Sequence, residues 1–217
     1  MARLRLGVLV SGTGTNLEAL IDACREPDYP AQIVLVLSNR PGVRALERAR
    51  TAGLAAEVID HAAFPDRASF DAAIDARLNA AKVELVCLAG FMRLFTDGFV
   101  QRWRDRMINI HPSLLPAFPG RHAHERALEA GVRFTGCTVH FVRPEMDTGP
   151  IVVQAAVPVQ PDDTVAHLRE RVLSAEHRCY PLAVRLIAER RVRVVNEVAL
   201  VAGAATPTAA VLNPRDR

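Results

Sequence analysis

An asparagine and a histidine stand two residues apart in the segment Asn109-Ile110-His111-Pro112-Ser113. In an extended chain, residues i and i+2 point to the same side, and Pro112 biases His111 towards that conformation. An amide NH2 and an imidazolium that face one ligand are donors suited to the oxyanion that develops in acyl transfer. The pair therefore predicts a site that stabilises negative charge on a carbonyl oxygen.

A second candidate is the acidic turn Met146-Asp147-Thr148-Gly149-Pro150, which separates two apolar runs. Asp and Gly favour turns for conformational reasons alone. Taken by itself, this turn therefore decides nothing about function.

A glycine-rich segment, Ser-Gly-Thr-Gly-Thr-Asn at 11–16, follows the first predicted strand and precedes a predicted helix. Free backbone N–H groups and the helix dipole favour an anion there, and a phosphate fits. The alternative is a tight turn that needs glycine for its backbone conformation alone. The segment does not match the full dinucleotide fingerprint, because its third glycine would fall at Leu17 and Ser38-Asn39-Arg40 stands where the acidic ribose ligand is expected. NAD binding is therefore disfavoured, while Arg40 leaves NADP binding open.

The elements that position these segments alternate along the first half of the chain. Short apolar, β-branched runs alternate with longer amphipathic ones, which is typical of parallel βαβ units. Strands are predicted at 4–10, 33–37, 55–59, 83–88 and 107–110, and helices at 16–24, 43–52, 67–81 and 97–104. Asp66 and Thr96 are predicted N-caps, and Gly53 is a predicted helix stop. The expected fold is α/β, with a mostly parallel, doubly wound, Rossmann-like sheet.

The second half begins with Pro112, Pro116, Pro119 and Gly120, which indicate an irregular loop. There follow a short helix near 123–130 and strands at 136–142 and 151–159. The link between the two strands is too short for a parallel crossover, so they should be antiparallel. A long helix should run from 163–164 to about 189, kinked or split at Pro181, and 192–195 could add an edge strand. We expect residues 1–200 to form a single domain and 201–217 a mobile tail.

Composition excludes several classes of function. Of the 217 residues, 50% are hydrophobic and 24% are charged, and no apolar run approaches the ~20 residues of a membrane span. We expect a cytoplasmic location and no membrane partner. The net charge of +3 comes with scattered arginines, which argues against nucleic acid as a partner. The four cysteines are expected to be buried thiols, and no metal site is predicted, because His122 and His124 do not share a helical face.

Four segments together resemble the phosphoribosylglycinamide formyltransferase family. They are Ser-Gly-Thr-Gly-Thr-Asn-Leu at 11–17, Leu-Ala-Gly-Phe-Met-Arg at 88–93, Ile-Asn-Ile-His-Pro-Ser-Leu-Leu-Pro at 108–116 and Met-Asp-Thr-Gly-Pro-Ile at 146–151. The resemblance spans about residues 5–197. The middle two segments are shared by the wider group of folate-dependent formyltransferases, whereas the glycine loop and the chain length point to this family. It implies formyl transfer from 10-formyltetrahydrofolate to the amine of glycinamide ribonucleotide in de novo purine synthesis, without a metal.

The resemblance also implies roles for individual residues. Asn109 and His111 would stabilise the tetrahedral oxyanion, and Asp147 would hold His111 protonated and help to relay the proton that the amine loses. The contacts to the substrate phosphate and ribose fall at Gly14, Thr15, Asn16 and Glu176. The folate contacts fall at Arg67, Met92, Arg93, Leu94, Phe95, Asn109, Arg143, Pro144, Glu145, Met146 and Asp147. The ribonucleotide half would span about 1–100 and the folate and catalytic half about 85–200.

One position departs from the family pattern, since Arg143-Pro144 stands where acidic or small polar residues are usual, and Pro144 lacks an N–H donor. One alternative function is that of another 10-formyltetrahydrofolate-dependent formyltransferase or deformylase, for whose extra domains we expect no room. A second is an NADP-binding module in which Asn109 and His111 are structural. A third is a catalytically silent protein on the same scaffold. The expected assembly is a monomer or a homodimer.

Overall fold

The computed structural model describes residues 2–214, which form nine strands and six α-helices among those residues. The strands are β1 (Leu4–Val10), β2 (Ala31–Ser38), β3 (Ala56–Val58), β4 (Leu85–Leu88), β5 (Met107–His111), β6 (Phe134–Phe141), β7 (Ile151–Pro158), β8 (Val192–Val195) and β9 (Val198–Val201). The helices are α1 (Thr15–Arg25), α2 (Arg44–Thr51), α3 (Arg67–Ala80), α4 (Asp97–Arg102), α5 (Ala123–Glu129) and α6 (Val165–Ala188).

Seven strands form one sheet in the order β3-β2-β1-β4-β5-β6-β7. Pairing from β3 to β5 is parallel, and β6 pairs antiparallel with both β5 and β7. The chain first moves outward from β1 to β3 and then returns to β4 on the other side of β1. Such a reversal opens a crevice at the carboxyl ends of the strands, where open α/β sheets bind ligands. The predicted fold class is confirmed.

Helices cover both faces of the sheet, and each face has its own apolar core. Val8 and Val10 of β1 belong to the cluster that includes Tyr180 of α6, whereas Leu9 packs into the cluster of Phe70 and Trp103. Because both faces are buried, the central strands are continuous apolar runs and not alternating ones.

The predicted helix caps are confirmed. Asp66 accepts a hydrogen bond from the amide of Ser69, and Thr96 accepts one from the amide of Phe99. Gly53, just after α2, adopts the left-handed conformation with φ of 73°. These local features follow from side-chain chemistry and backbone freedom within a few residues, which is why they can be predicted without the fold.

Two predictions in the C-terminal region hold only in part, since the helix and the strand at 192–195 form, but the split at Pro181 and the place of the strand in the main sheet are wrong. A kink at Pro181 stays a prediction. Pro181 does not split α6, which is continuous from Val165 to Ala188; the neighbouring Tyr180 is fully buried and its hydroxyl donates to the carbonyl of Leu88, which anchors the helix on the sheet. The predicted edge strand, β8, does not join the main sheet. It pairs with β9 in a separate two-stranded sheet, because the chain turns back at once and supplies a partner.

After β9, residues 202–214 include neither helix nor strand. The side-chain amide of Asn213 donates to the carbonyls of Arg133 and Val159, at 2.6 and 3.1 Å. The mobility of the predicted tail stays a prediction, and its residues 215–217 lie outside the described residues. Within 2–214, no helix combines the length and apolar character needed to cross a membrane.

Candidate active site

The predicted Asn–His pair lies at the carboxyl end of β5. The strand extends one residue further than predicted and includes His111. Asn109 faces His140 in the antiparallel register of β6, and Nδ2 of Asn109 lies 3.4 Å from Nε2 of His140. The sheet therefore adds a second imidazole to the site.

Asp147 joins these two histidines from the loop between β6 and β7. Its Oδ2 lies 3.3 Å from Nδ1 of His111, and its Oδ1 lies 3.6 Å from Nε2 of His140. The Asp147 backbone is left-handed, with φ of 58°, an uncommon conformation for a residue other than glycine. The loop thus turns sharply to bring the carboxylate between the two rings.

Both nitrogens of His111 face hydrogen-bond acceptors. Nε2 lies 2.9 Å from the carbonyl oxygen of Phe118, which can only accept, so Nε2 carries a proton. Nδ1 faces the carboxylate of Asp147, which also accepts when ionised. Both ring nitrogens therefore face acceptors, and Nε2–H is a donor that the ring can present to an oxyanion.

The electrostatics of Asp147 favour its ionised form. Burial raises the pKa of the carboxyl, but the contact with His140, the hydrogen bond from the Gly120 amide at 2.8 Å and the nearby imidazole charges outweigh burial. The net result is a pKa below the usual carboxyl range. Asp147 is therefore a carboxylate at neutral pH.

His140 was not predicted from the sequence, although it is part of this cluster. Its Nδ1 is 2.9 Å from the Phe141 carbonyl, and its side chain is 2% exposed. The available sequence signal is a histidine inside a mostly apolar predicted strand. That signal is weak, because only the β5–β6 register sets His140 opposite Asn109.

The glycine loop lies at the carboxyl end of β1, at the crevice of the sheet. Gly14 precedes α1 in the left-handed conformation, with φ of 75°, and no side chain caps the helix. The first bond within the helix runs from the Glu18 amide to the Gly14 carbonyl, so the amides of residues 15–17 have no partner within the helix. These amides suit an anion.

The two glycines of this loop differ in their structural roles. A Cβ at Gly14 would lie 2.6 Å from the Cβ of Ala45 in α2, so Gly14 is required for packing as well as for its φ. A Cβ at Gly12 would meet nothing within 4 Å, and its φ is not positive. The fold supplies a reason for the glycine at 14 but none for the glycine at 12.

Asn16 and Glu176 lie far apart in the sequence and meet in the structure. Nδ2 of Asn16 donates to Oε2 of Glu176 over 2.7 Å, which joins the start of α1 to the middle of α6. Burial raises the pKa of Glu176, and the bond from Asn16 opposes that rise in part. Oδ1 of Asn16 is buried and has no hydrogen-bond partner among residues 2–214.

The predicted folate contacts at 92–95 differ in exposure. Met92 and Leu94 are 68% and 55% exposed, whereas Phe95 is buried and stacks on Phe99 with ring centroids 4.2 Å apart. The side chain of Phe95 therefore belongs to the core. The amide of Met92 donates to the hydroxyl of Ser11 over 2.8 Å, so this segment contacts the glycine loop directly.

Arg67 and Arg93 are brought near one carboxylate. Burial raises the pKa of Asp71, and the positive charges of both arginines counteract that rise. Oδ2 of Asp71 also accepts from the amide and the hydroxyl of Thr96, which ends the 89–96 segment. Two exposed arginines thus lie near the same carboxylate.

The 143–147 segment is divided between anchored and exposed residues. The guanidinium of Arg143 bonds to the carboxylates of Asp105 and Glu197, whereas Pro144, Glu145 and Met146 are exposed. Arg143 therefore does not join the cluster around Asp147 through its side chain.

A cavity of about 280 Å³ adjoins Asp147. It is lined by Leu115, Pro116, Pro119, Met146, Asp147, Thr148, Gly149 and Ile151. The Leu115–Pro116 peptide bond at its edge is cis. One wall is thus the proline loop and the other is the acidic turn.

Residues 2–214 include no group of three or more His, Cys, Asp or Glu side chains arranged to hold a metal ion. All four cysteines are free thiols, three of them buried and Cys24 partly buried.

The chain is similar to known proteins over most of its length. The formyl transferase family matches residues 4–184. The phosphoribosylglycinamide formyltransferase of Haemophilus influenzae is 40% identical over 96% of this chain and 99% of its own length, and that of Escherichia coli is 39% identical over 94% and 96%. The trifunctional purine biosynthetic protein adenosine-3 of Gallus gallus is 53% identical over 88% of this chain, which spans 19% of that longer protein.

Solved structures agree. The glycinamide ribonucleotide transformylase 1 of Symbiobacterium toebii superposes with a TM-score of 0.90 at 52% identity, covering 92% of this chain and 94% of that one. The phosphoribosylglycinamide formyltransferase of Anaplasma phagocytophilum superposes with a TM-score of 0.87 at 42% identity, covering 94% and 97%. The chain therefore belongs to the formyl transferase family, in the group of the phosphoribosylglycinamide formyltransferases.

Proposed function

We propose that the chain transfers the formyl group of 10-formyltetrahydrofolate to the amine of glycinamide ribonucleotide, giving formylglycinamide ribonucleotide and tetrahydrofolate. The observation that carries the proposal is the buried contact of His111 with Asp147, 3.3 Å apart, beside Asn109 at the carboxyl end of β5. A charged imidazole and a side-chain amide next to a carboxylate suit formyl transfer to an amine.

In the proposed reaction, the amine nitrogen attacks the formyl carbon and a tetrahedral oxyanion forms. Asn109 and His111 donate hydrogen bonds to this oxygen. Nε2 of His111 donates to the Phe118 carbonyl, so His111 reaches the oxyanion by exchanging that bond for one to the developing negative charge. A full negative charge accepts more strongly than a neutral carbonyl, which favours the exchange in the transition state.

The attacking amine must lose a proton, and N10 of the folate must gain one as the carbon–nitrogen bond breaks. Because its pKa lies below the usual range, Asp147 is a weak base for a neutral amine. It accepts a proton more readily from the positively charged nitrogen of the tetrahedral intermediate, which is a stronger acid than the neutral amine. Asp147 therefore holds His111 charged and relays the proton, through water, from the amine nitrogen towards N10.

The ribonucleotide lies at the other end of the crevice. The free amides of residues 15–17 receive its phosphate, and Gly12, which has no packing or backbone reason to be glycine, allows the anion to approach the loop closely. The ribose hydroxyls then lie against Asn16 and Glu176, which already bond to each other over 2.7 Å. The intact dinucleotide fingerprint is missing, which weakens the NADP alternative.

The folate occupies the other side of the catalytic cluster. Its pterin ring contacts Met92, Leu94 and the 143–147 segment, and the exposed guanidinium groups of Arg67 and Arg93 suit the carboxylates of its glutamate part. With two small-molecule substrates, neither nucleic acid nor a membrane is required as a partner. We place this reaction in purine biosynthesis in the cytoplasm.

A spectrophotometric assay of the purified protein with 10-formyltetrahydrofolate, run with and without glycinamide ribonucleotide, tests the proposal. We expect tetrahydrofolate to form only when both are present. Folate consumption without the ribonucleotide would indicate a deformylase, and tight NADPH binding without turnover would support the binding-module alternative.

A further inference from the structure

The guanidinium of Arg143 ties three parts of the chain together. Its Nε donates to Glu197 over 2.5 Å, its Nη2 donates to Asp105 over 2.7 Å, and its Nη1 donates to the Val142 carbonyl over 3.1 Å. The side chain is 7% exposed. Each guanidinium nitrogen is thus engaged within the protein.

The β8–β9 hairpin that supplies Glu197 has an unusual turn. Two residues, Asn196 and Glu197, connect the paired Val195 and Val198, and both have positive φ, 49° and 60°. This is the geometry of a two-residue type I′ turn, in which Asn-Gly is preferred because glycine adopts the second position without strain. Glutamate therefore stands where glycine would be the conformationally easier residue.

The contacts of the Glu197 carboxylate give a reason for a glutamate at this strained position. It bonds to two arginines, Arg143 through Oε2 and Arg104 through Oε1. The hydrogen bond from Arg143 lowers the pKa of Glu197, so the carboxylate is charged at neutral pH. Strained residues that persist point to a function for their side chains.

Arg143 is also the second residue of the loop between β6 and β7, which bears Asp147. The ends of this loop are held tightly: the Phe141 amide donates to the Pro150 carbonyl over 2.9 Å, and a Cβ at Gly149 would lie 1.8 Å from the Phe141 carbonyl oxygen. Between these ends, the Gly120 amide holds Asp147. The Arg143 guanidinium therefore fixes the entry to the loop, before its exposed tip.

We propose that Glu197 is a positioning residue for the folate side of the site, acting through Arg143. The hairpin lies outside the catalytic cluster, and its carboxylate holds Arg143, which in turn holds the 143–147 segment in the shape that receives the pterin ring. This inference rests on the proposed function, because folate is taken to be the ligand of that segment. It also gives the Arg143 side chain an anchoring role within a segment predicted to contact folate.

Substitution by glycine separates this role from a merely structural one. Glu197→Gly removes the carboxylate and at the same time relieves the strain of the turn, so the melting temperature should not fall. The KM for 10-formyltetrahydrofolate should rise about three- to tenfold, as for a lost, partly exposed, charged hydrogen bond. The KM for glycinamide ribonucleotide should change less than about twofold, since that substrate is placed elsewhere.

Asn196→Gly is the matched control, since it changes the neighbouring left-handed position without removing a charge. It should leave both KM values at the wild-type level. Tetrahydrofolate binding measured by titration calorimetry provides a readout besides turnover, and Glu197→Gly should weaken it by the same factor as the KM. In the Arg143→Met background, Glu197→Gly should have no further effect, because the carboxylate acts through that arginine.

An unchanged folate KM in Glu197→Gly, in a protein whose wild type transfers formyl groups, would overturn the inference and leave the proposed function intact. Additive effects of the two substitutions would also overturn it, because the carboxylate would then act independently of Arg143. If the wild-type protein itself transferred no formyl group yet bound tetrahydrofolate, the calorimetric comparison would still decide the role of Glu197.

Discussion

Oδ2 of Asp147 lies 3.3 Å from Nδ1 of His111, and the two side chains are 9% and 6% exposed. The opposite nitrogen of the ring donates to the Phe118 carbonyl. A buried carboxylate and a carbonyl on the two sides of one imidazole fix the orientation of the ring. In a site proposed for formyl transfer, this arrangement fixes the direction in which His111 can donate.

Removing either member of this pair should nearly abolish turnover. His111→Ala and Asp147→Asn should each lower kcat by about 10² to 10⁴, the usual range for a positioned donor or acid–base group. Steady-state kinetics with both substrates provide the measurement, and circular dichroism checks that the fold persists. Asp163→Asn is the control, because Asp163 is also a buried carboxylate with a lowered pKa, paired with Arg171 away from the site; it should retain wild-type kcat. Wild-type turnover in either test variant would remove that residue from the mechanism.

The pH dependence of stability should report the charge of Asp147. Its pKa is lowered in the folded state, so its ionisation stabilises the fold above the unfolded pKa of about 3.9, and this contribution disappears as the pH falls through the lower, folded value. Asp147→Asn should therefore melt at a lower temperature than wild type at pH 7. The difference should shrink below about pH 3 to 4, and a difference that persists there would indicate lost packing instead.

Glu176 should show the opposite sign. Burial raises its pKa in the folded state, so its contribution to stability is complete below the unfolded pKa and is lost as the pH rises through the folded value. Glu176→Gln keeps a side-chain oxygen that can accept the hydrogen bond from Asn16, but the glutamine side chain cannot ionise. Its melting temperature should equal or exceed that of wild type at pH 8, with a smaller gain at pH 4, while the KM for glycinamide ribonucleotide rises. An unchanged KM would contradict the ribose contact.

The two glycines of the phosphate loop should respond differently to alanine. Gly14→Ala should lower the free energy of unfolding by at least about 1–2 kcal/mol, because a left-handed alanine is strained and its Cβ would overlap Ala45. Gly12→Ala meets no atom within 4 Å, so its stability should be unchanged, while the new methyl group obstructs the phosphate and raises the KM for the ribonucleotide. Chemical denaturation and kinetics measure the two effects, and equal destabilisation by both substitutions would contradict this division of roles.

The local features predicted from the sequence and observed in the structure depend on interactions between neighbouring residues. The caps at Asp66 and Thr96 and the helix stop at Gly53 depend on neighbours within a few residues, and all three are observed. The short link between β6 and β7 required antiparallel pairing for geometric reasons, and this is observed as well. The split expected at Pro181 failed because long-range burial of Tyr180 outweighed a local preference.

By itself, the sequence determined the fold class, the phosphate-loop candidate and the pair Asn109 and His111, because strand periodicity, glycine spacing and side-chain chemistry all lie in contiguous segments. Asp147 became a candidate only through the resemblance to a family. Only the tertiary structure decided that His140 lies beside Asp147, that Asn16 meets Glu176, and that Arg143 is held by Glu197. Each of these is a contact between segments far apart in the chain. Such contacts depend on strand register, helix packing and the direction of a turn, which no local pattern specifies.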